Sequence, residues 1–418
     1  MDTKPLSEAY RRMAEDPFPS RMEIAFYDDA SSRVALNYEK VEWTVEGERR
    51  GLRYGDNPDQ SAALYRPVDA NLSLAGAYEI APDGGLICSA ELLQFGKHPG
   101  KTNLTDIDGA LGILRYLPDR PACAVMKHNN PSGVAQADTP SEAYRKAYEA
   151  DRLAAFGGAV VLNRPMDVPT ASKIAESYCE VVAAPDFEEG AFELLAGRKN
   201  LRIIRIPEMA RLERYAPVRN LDFKTLLDGG CIVQLSFVSR VRTRADLLPA
   251  QCVHKGVEYS VKRAPDEREI ADMLFGWAVE TGVTSNSVLY VKDGVTVGVG
   301  TGEQDRVGVA EIARDKAYRK MEDLRSWQIY GKPWNELSDE MQRAKIREEV
   351  CEARGGLPGS IMISDAYFPF RDGIEVGLRE GVSAVLQPGG SIRDYESIEA
   401  CNEYGAAMMF TGQRSFRH

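Results

Sequence analysis

From Leu52 onward, short apolar runs alternate with longer stretches of helical patterning, and each apolar run stops abruptly in a polar loop. Apolar runs of about four to eight residues bounded by turn residues read as strands, and their alternation with helices predicts an α/β fold with a largely parallel sheet. Ala122–Met126 ends in Lys127-His128-Asn129-Asn130-Pro131. A helical stretch over Ser141–Ala155 follows, then Phe156-Gly157-Gly158 and a second run, Ala159–Leu162. The expected order is strand, loop, helix, strand. Further on, Val288–Val291 and Val295–Val299 flank Asp293-Gly294, a strong signal for a type I′ hairpin turn, and a helix begins near Arg306. The carboxyl-terminal part predicts strands at Ile361–Ile363, Ala384–Leu386 and Ala406–Phe410. Between them lie helices at Asp372–Arg379 and Asp394–Glu403, stopped by Gly381 and Gly405. Ligands of such sheets bind beyond the carboxyl ends of the strands, where the polar loops fall.

The remaining segments set bounds. Met1–Arg50 reads as an extension with one short helix, Pro5–Glu15, and a hairpin around Ala25–Val45. Tyr318–Gly355 is highly charged, with helical patterning over Glu336–Glu352, and reads as an inserted helical arm. A chain of 418 residues predicts two or three domains. The seven cysteines form no C-x-x-C spacing, and several sit in apolar runs, which fits buried thiols in a reducing compartment. A net charge of −11 argues against general nucleic-acid binding, which needs a basic surface. There is no apolar stretch of the ~18 residues a membrane span needs, and the first twenty residues do not read as a secretory signal. A cytoplasmic enzyme is expected. Without H-x-E…P-C-x-x-C, zinc-dependent deamination is excluded; without G-x-x-x-x-G-K-[ST], so is a P-loop ATPase. No carboxylate spacing suggests a metal site.

Four histidines are present: His98, His128, His254 and His418. His128 follows Lys127 at the end of a strand, and an imidazole, with an ordinary pKa near ~6.5, suits general-base work. Lys127 could steady negative charge developing on an acyl oxygen. The same pair could equally be a solvent-exposed loop. Arg53-Tyr54 opens a turn-rich stretch through Gln60, where an Arg can grip phosphate and a Tyr can stack on a base; a plain surface turn is the competing reading. The Pro388–Ser391 loop could offer N–H groups to an anion, a weak signal by itself.

Taken in order, LRYGDNPDQ (Leu52–Gln60), KHNNPSGVA (Lys127–Ala135), EAYRKAYEADRLAAFGG (Glu142–Gly158), TSNSVLYVKDG (Thr284–Gly294), GVGTGEQDRV (Gly298–Val307), SDAYFPFRDG (Ser364–Gly373) and LQPGGSIRD with the final FTGQRSFRH resemble the transformylase part of the AICAR transformylase/IMP cyclohydrolase family. The resemblance implies two zinc-free cytidine-deaminase-like subdomains of α/β architecture and an active site built in a homodimer. It implies transfer of the formyl group of 10-formyltetrahydrofolate to the amine of AICAR in purine synthesis, with no metal required. It places nucleotide contacts on Arg53, Tyr54, His128, Gly157, Glu180, Asn286, Arg306, Tyr367 and Arg414. Folate contacts fall on Val307, Asp372, Ser391 and Ile392. His128 takes the place of the general base, Lys127 that of the transition-state stabiliser, and Asn286 orients or stabilises the formyl oxygen.

On this basis the expected domains are an extension over 1–50, a first subdomain over 51–220 and a second over 221–418, with a charged helical insertion at 318–360 expected to pack on the first. Only about fifty residues precede the Arg53 motif, so a monofunctional transformylase is expected, with a separate IMP cyclohydrolase acting next. The sequence departs from the family pattern at Asp59 (usually His), Asp305 (usually Ser), Glu180 (usually Asp) and Tyr367 (commonly Phe). Two alternatives follow: a formyltransferase with a changed nucleotide substrate, or a catalytically silent regulatory protein that binds AICAR or folate.

Overall fold

The computed structural model describes residues 13, 15–69 and 85–418. The expected helix over Pro5–Glu15 lies, apart from Met13 and Glu15, outside the described residues. The expected amino-terminal hairpin is present: Arg21–Tyr27 pairs antiparallel with Arg33–Lys40, which also pairs with Tyr65–Asp69.

The chain gathers into two compact units that interleave in sequence. One draws on Met1–Leu111 and Ala159–Val238, the other on Gly112–Gly158 and Ser239–His418. In the first, the strands Ala159–Leu162, Val181–Ala184 and Arg202–Arg205 run parallel, and Glu91–Gln94 pairs antiparallel with the last of them. Helices Val168–Ala175 and Ala191–Ala196 make the crossovers. The first two strands, AVVL and VVAA, are buried at every position, as expected when both faces of a parallel sheet are covered. Asp167 caps the first crossover helix by accepting from Thr170 N.

The second unit repeats this scheme on a larger scale. Ile361–Ser364, Ala384–Gln387 and Ala407–Phe410 run parallel, connected by helices Arg371–Arg379 and Asp394–Tyr404. The hairpin Val288–Lys292/Val295–Gly300 lies antiparallel beside Ile361–Ser364, and a second hairpin, Ala122–Lys127/Asn130–Gln136, continues from it. The core joins Val288 and Tyr290 to Val309, Ala313, Met362, Phe368, Ile374, Val385, Ile398 and Met408. The fold is α/β with covering helices, as the alternation of apolar runs predicts, but the sheets are mixed where a largely parallel one was expected, because the two hairpins bring in antiparallel strands.

Along the chain one order of elements occurs twice: helix, hairpin, helix, then three strands joined by two helices. The first pass begins at helix Lys101–Leu114 and ends at Arg205; the second begins at helix Glu267–Glu280 and ends at Phe410. The charged arm belongs to the second pass. Its first helix runs without a break over Arg306–Tyr330, so the boundary expected near residue 318 falls inside a continuous helix. Gly331 stops it in the left-handed conformation, and helix Glu340–Glu352 folds back, burying Leu337, Ile346 and Val350 against Tyr318, Met321, Tyr330 and Trp334.

Candidate functional site

The segment after Ala122–Lys127 is a tight hairpin, where a loop leading to a helix was expected. Lys127 is the last paired residue and faces Asn130, leaving His128 and Asn129 as a two-residue turn with φ of 53° and 61°. Pro131 and Gly133 hid the returning strand, since neither favours a strand interior. Gly133 is needed there: a Cβ on it would meet Ala147 O at 2.0 Å, so helix Pro140–Ala150 lies directly on the strand. The expected helix over Ser141–Ala155 is likewise divided at Asp151, which accepts from Ala154 N and starts the short helix Arg152–Ala155.

A left-handed histidine is uncommon and costs roughly 1–3 kcal/mol. Here it leaves the imidazole exposed at the hairpin tip, beside the half-buried Lys127. The Lys127 ammonium donates to Phe156 O at 2.8 Å. Gly157, with φ of 74°, follows that carbonyl, and a Cβ on Gly158 would lie 2.6 Å from Met126 O. Lys127, His128 and Gly157 therefore belong to one neighbourhood. Asn130 braces it, its Oδ1 accepting from Thr284 N (2.9 Å) and Thr301 Oγ1 (3.1 Å).

Asn286 and Arg306 meet in the same unit. Arg306 begins the long helix and is buried; its Nη2 donates to Asn286 Oδ1 at 2.9 Å. Its Nη1 donates to Ser287 O and Ser364 Oγ, both at 3.1 Å, and to the Asp365 carboxylate. Ser285 Oγ donates to the other Asp365 oxygen at 2.5 Å. Asn286 Nδ2 donates to Gln304 O at 3.0 Å, so both ends of the amide are held. The guanidinium proposed from sequence to grip the nucleotide is engaged by the protein itself, and its direct effect is to orient Asn286. Behind it, Ser287 Oγ donates to the fully buried Glu280 carboxyl. Burial, aided by the nearby Asp365 charge, pushes the Glu280 carboxyl well above the ordinary range.

The first unit has its own cationic cluster. Arg53 is buried, donating from Nη1 to Lys97 O (2.8 Å) and from Nη2 to Tyr54 Oη (2.6 Å), with its guanidinium 4.4 Å from the Tyr54 ring centroid. Arg202, 1% exposed, donates to Glu180 Oε2 (3.2 Å) and to the Lys97 and His98 carbonyls. Asn103 Nδ2 also donates to Glu180 Oε2, at 3.3 Å. Arg53, Tyr54 and Glu180 thus share a neighbourhood through the Lys97–His98 backbone. Burial lowers the Arg202 pKa, opposed by the Glu180 charge. His98 is a structural residue: its Nε2 meets Gly51 O, and burial pushes its pKa down.

The other expected contacts lie on the second unit. Tyr367 and Arg414 are exposed, the Arg414 guanidinium 4.2 Å from the Phe416 ring centroid. Asp372 is exposed and accepts from Gly373 N at 2.8 Å. Ser391 Oγ accepts from Arg393 N at 3.1 Å, while Ile392 is 88% exposed, an unusual setting for an apolar side chain that nothing covers. Val307 packs against the core beside Arg306.

Sequence reasoning missed Arg202, Asp365, Ser285 and Glu280 as members of these clusters. Arg202 carried a signal, a charge within the apolar run Leu201–Ile206, and so did Asp365 directly after Ile361–Ser364. Among the described residues no group of three or more His, Cys, Asp or Glu side chains could hold a metal ion, and no helix is long and apolar enough to cross a membrane.

One departure acquires a physical explanation. Asp305 is the N-cap of the long helix, accepting from Gly308 N at 2.7 Å, a duty Ser and Asp perform equally well. Asp59 is exposed in its turn.

The family model described as "AICARFT/IMPCHase bienzyme" matches residues 7–316, a span that includes Arg53, Lys127, His128, Glu180, Asn286 and Arg306. The chain belongs to this family. It is 38% identical over 374 residues to the bifunctional purine biosynthesis protein PurH of Roseobacter denitrificans, covering 88% of this chain and 59% of that protein. The PurH proteins of Magnetococcus marinus (37% over 380 residues; 90% and 61%) and Dinoroseobacter shibae (38% over 392 residues; 93% and 63%) are similarly related. The chain spans about three fifths of the length of these relatives.

Proposed function

We propose that the chain transfers the formyl group of 10-formyltetrahydrofolate to the amine of AICAR, giving formyl-AICAR and tetrahydrofolate in purine biosynthesis. The observation that carries this reading is the family match over residues 7–316, which includes Lys127, His128 and Asn286 in their braced settings.

The amine of AICAR is conjugated with its ring and carboxamide and is a weak nucleophile. It needs alignment and a base, with no activation by a phosphorylated intermediate. His128 takes the amine proton as the tetrahedral intermediate forms, Lys127 steadies charge on the formyl oxygen, and Asn286 orients it. Alignment can supply up to ~7–11 kcal/mol of the barrier, and a positioned base ~10²–10⁴-fold in rate. Arg53, Tyr54, Gly157, Glu180, Arg306, Tyr367 and Arg414 are the proposed nucleotide contacts, Arg306 acting through Asn286. Val307, Asp372, Ser391 and Ile392 form the proposed folate site. The repeated order of elements supports two subdomains of one kind, over 51–220 and 221–418, and a cytoplasmic homodimer completes the proposal.

The test is an assay of purified protein with AICAR and 10-formyltetrahydrofolate. Formyl-AICAR and tetrahydrofolate in equal amounts support the reading; AICAR binding without turnover contradicts it. The same reaction, followed for IMP, separates formyl transfer alone from transfer with ring closure.

A further inference from the structure

The charged arm is held by ion pairs to Asp151 and Arg152, just ahead of Phe156 and Gly157. Its helix, Arg306–Tyr330, turns Lys320 and Asp323, three residues apart on one face, toward Asp151 and Arg152. Arg152 Nη1 donates to Asp323 Oδ2 at 2.8 Å, with the two side chains 9% and 2% exposed. Lys320 Nζ stands 3.5 Å from Asp151 Oδ2, both side chains buried or nearly so. Burial lowers the Lys320 pKa, and the Asp151 charge opposes the shift. The Arg152 guanidinium also lies 4.1 Å from the Trp327 ring centroid, one turn beyond Asp323. Asp323 Oδ1 accepts from Trp334 N at 2.9 Å, so one carboxylate ties the returning arm and Arg152 to the helix.

Asp151 and Arg152 stand at the start of the short helix Arg152–Ala155, which leads directly into Phe156-Gly157-Gly158. Phe156 offers its carbonyl to the Lys127 ammonium. We propose that Arg152, Asp151, Lys320 and Asp323 are positioning residues: their two buried ion pairs fix the 151–158 corner, and through the Phe156 carbonyl they set the direction of the Lys127 ammonium. An isolated surface ion pair would be too weak and mobile for this. A buried pair resists opening, because removing one partner leaves the other charge unsolvated. The rate consequence rests on the formyl-transfer reading; the orientation of Lys127 does not.

The test joins two measurements on the full chain. In the first, lysine reactivity toward an N-hydroxysuccinimide ester is read residue by residue by mass spectrometry. Lys292 is the internal control, since its ammonium donates to Pro358 O at 2.8 Å in a corner these ion pairs do not touch. Arg152→Ala should raise the labelling rate of Lys127 several-fold and leave that of Lys292 unchanged, while Arg152→Lys restores protection. If Arg152→Ala does not fold, as labelling of both lysines would reveal, Asp323→Asn breaks the same ion pair from its carboxylate side at nearly constant volume and carries the same expectation. Unchanged Lys127 labelling in a folded variant overturns the proposal, whatever the activity. In the second measurement, Arg152→Ala should lower kcat by ~10–100-fold, the effect of a small misplacement at a reacting centre, with a much smaller change in the KM for AICAR. A wild-type chain that transfers no formyl group would sink the functional reading and leave the labelling result to decide this one.

Discussion

Two hairpins in the second unit share a backbone and differ in what their turns carry. In both, a lysine closes the first strand and the next two residues are left-handed: His128 and Asn129 (φ 53° and 61°) in one, Asp293 and Gly294 (φ 52° and 69°) in the other. In both, that lysine donates at 2.8 Å to a backbone carbonyl just ahead of a left-handed glycine, Phe156 O before Gly157 and Pro358 O before Gly359. Asp293-Gly294 is the pair such a turn favours, and Asp272 stabilises it further by accepting from both backbone N–H groups at 2.9 and 2.8 Å. His128-Asn129 is the costlier choice for the same geometry. A fold that needed only the turn would be served by the cheaper pair, which supports the proposed role of the His128 side chain. The second hairpin shows what the first would be if only the fold mattered.

The largest expected effect separates the two tips. His128→Ala should lower formyl-transfer turnover by ~10²–10⁴-fold while AICAR still binds, because a base acts mainly in the transition state. Asp293→Ala should leave turnover near wild type. Steady-state kinetics and AICAR titration check both, and equal losses at the two tips would erase the distinction.

A smaller effect should appear in stability. Replacing Asp293-Gly294 by His-Asn puts a second non-glycine residue at a left-handed position of this turn and should destabilise the protein by about 1–3 kcal/mol. A Cβ at Gly294 would meet Gln136 O only at 3.7 Å, an ordinary contact, so the loss would report conformation and not collision. Denaturant unfolding measures it; no loss would mean that the His128 turn is not costly either.

The smallest effect concerns the root of the second hairpin, where Ser287 donates to Glu280. The folded-state pKa of Glu280 is raised, so its contribution is complete below the unfolded value near 4.5 and declines as pH rises toward the folded value. Wild type should therefore lose stability relative to Glu280→Gln as pH increases above that point, by at most about 1.4 kcal/mol per pH unit. A stability difference that stays constant over about three pH units above the unfolded value would mean that the Glu280 pKa is not raised in the folded protein.

How much of this the chain disclosed in advance depended on the range of the interactions. Asp293-Gly294 and the strands beginning at Ala159, Ile361 and Ala384 were legible because local turn chemistry and unbroken apolar runs specify them. The strand Asn130–Gln136 was not, since Pro131 and Gly133 oppose strand propensity locally and are accommodated by a bulge and by the helix packed on Gly133. The same division runs through the candidate site. Lys127 and His128 were visible as a polar tip on an apolar run. The partners of Arg306 and Arg202 were not, because Asp365 and Glu180 reach them only through tertiary folding. Even the duty of Asp305 became clear only when its carboxylate was seen capping a helix.

The most direct test of the account grafts the cheap turn onto the His128 hairpin, by the double substitution His128→Asp and Asn129→Gly, and measures single-turnover formyl transfer to AICAR. The grafted protein should fold with stability equal to or above that of wild type, bind AICAR, and transfer the formyl group ~10²–10⁴-fold more slowly. Transfer at the wild-type rate from the grafted turn would contradict the assignment of His128 as the base.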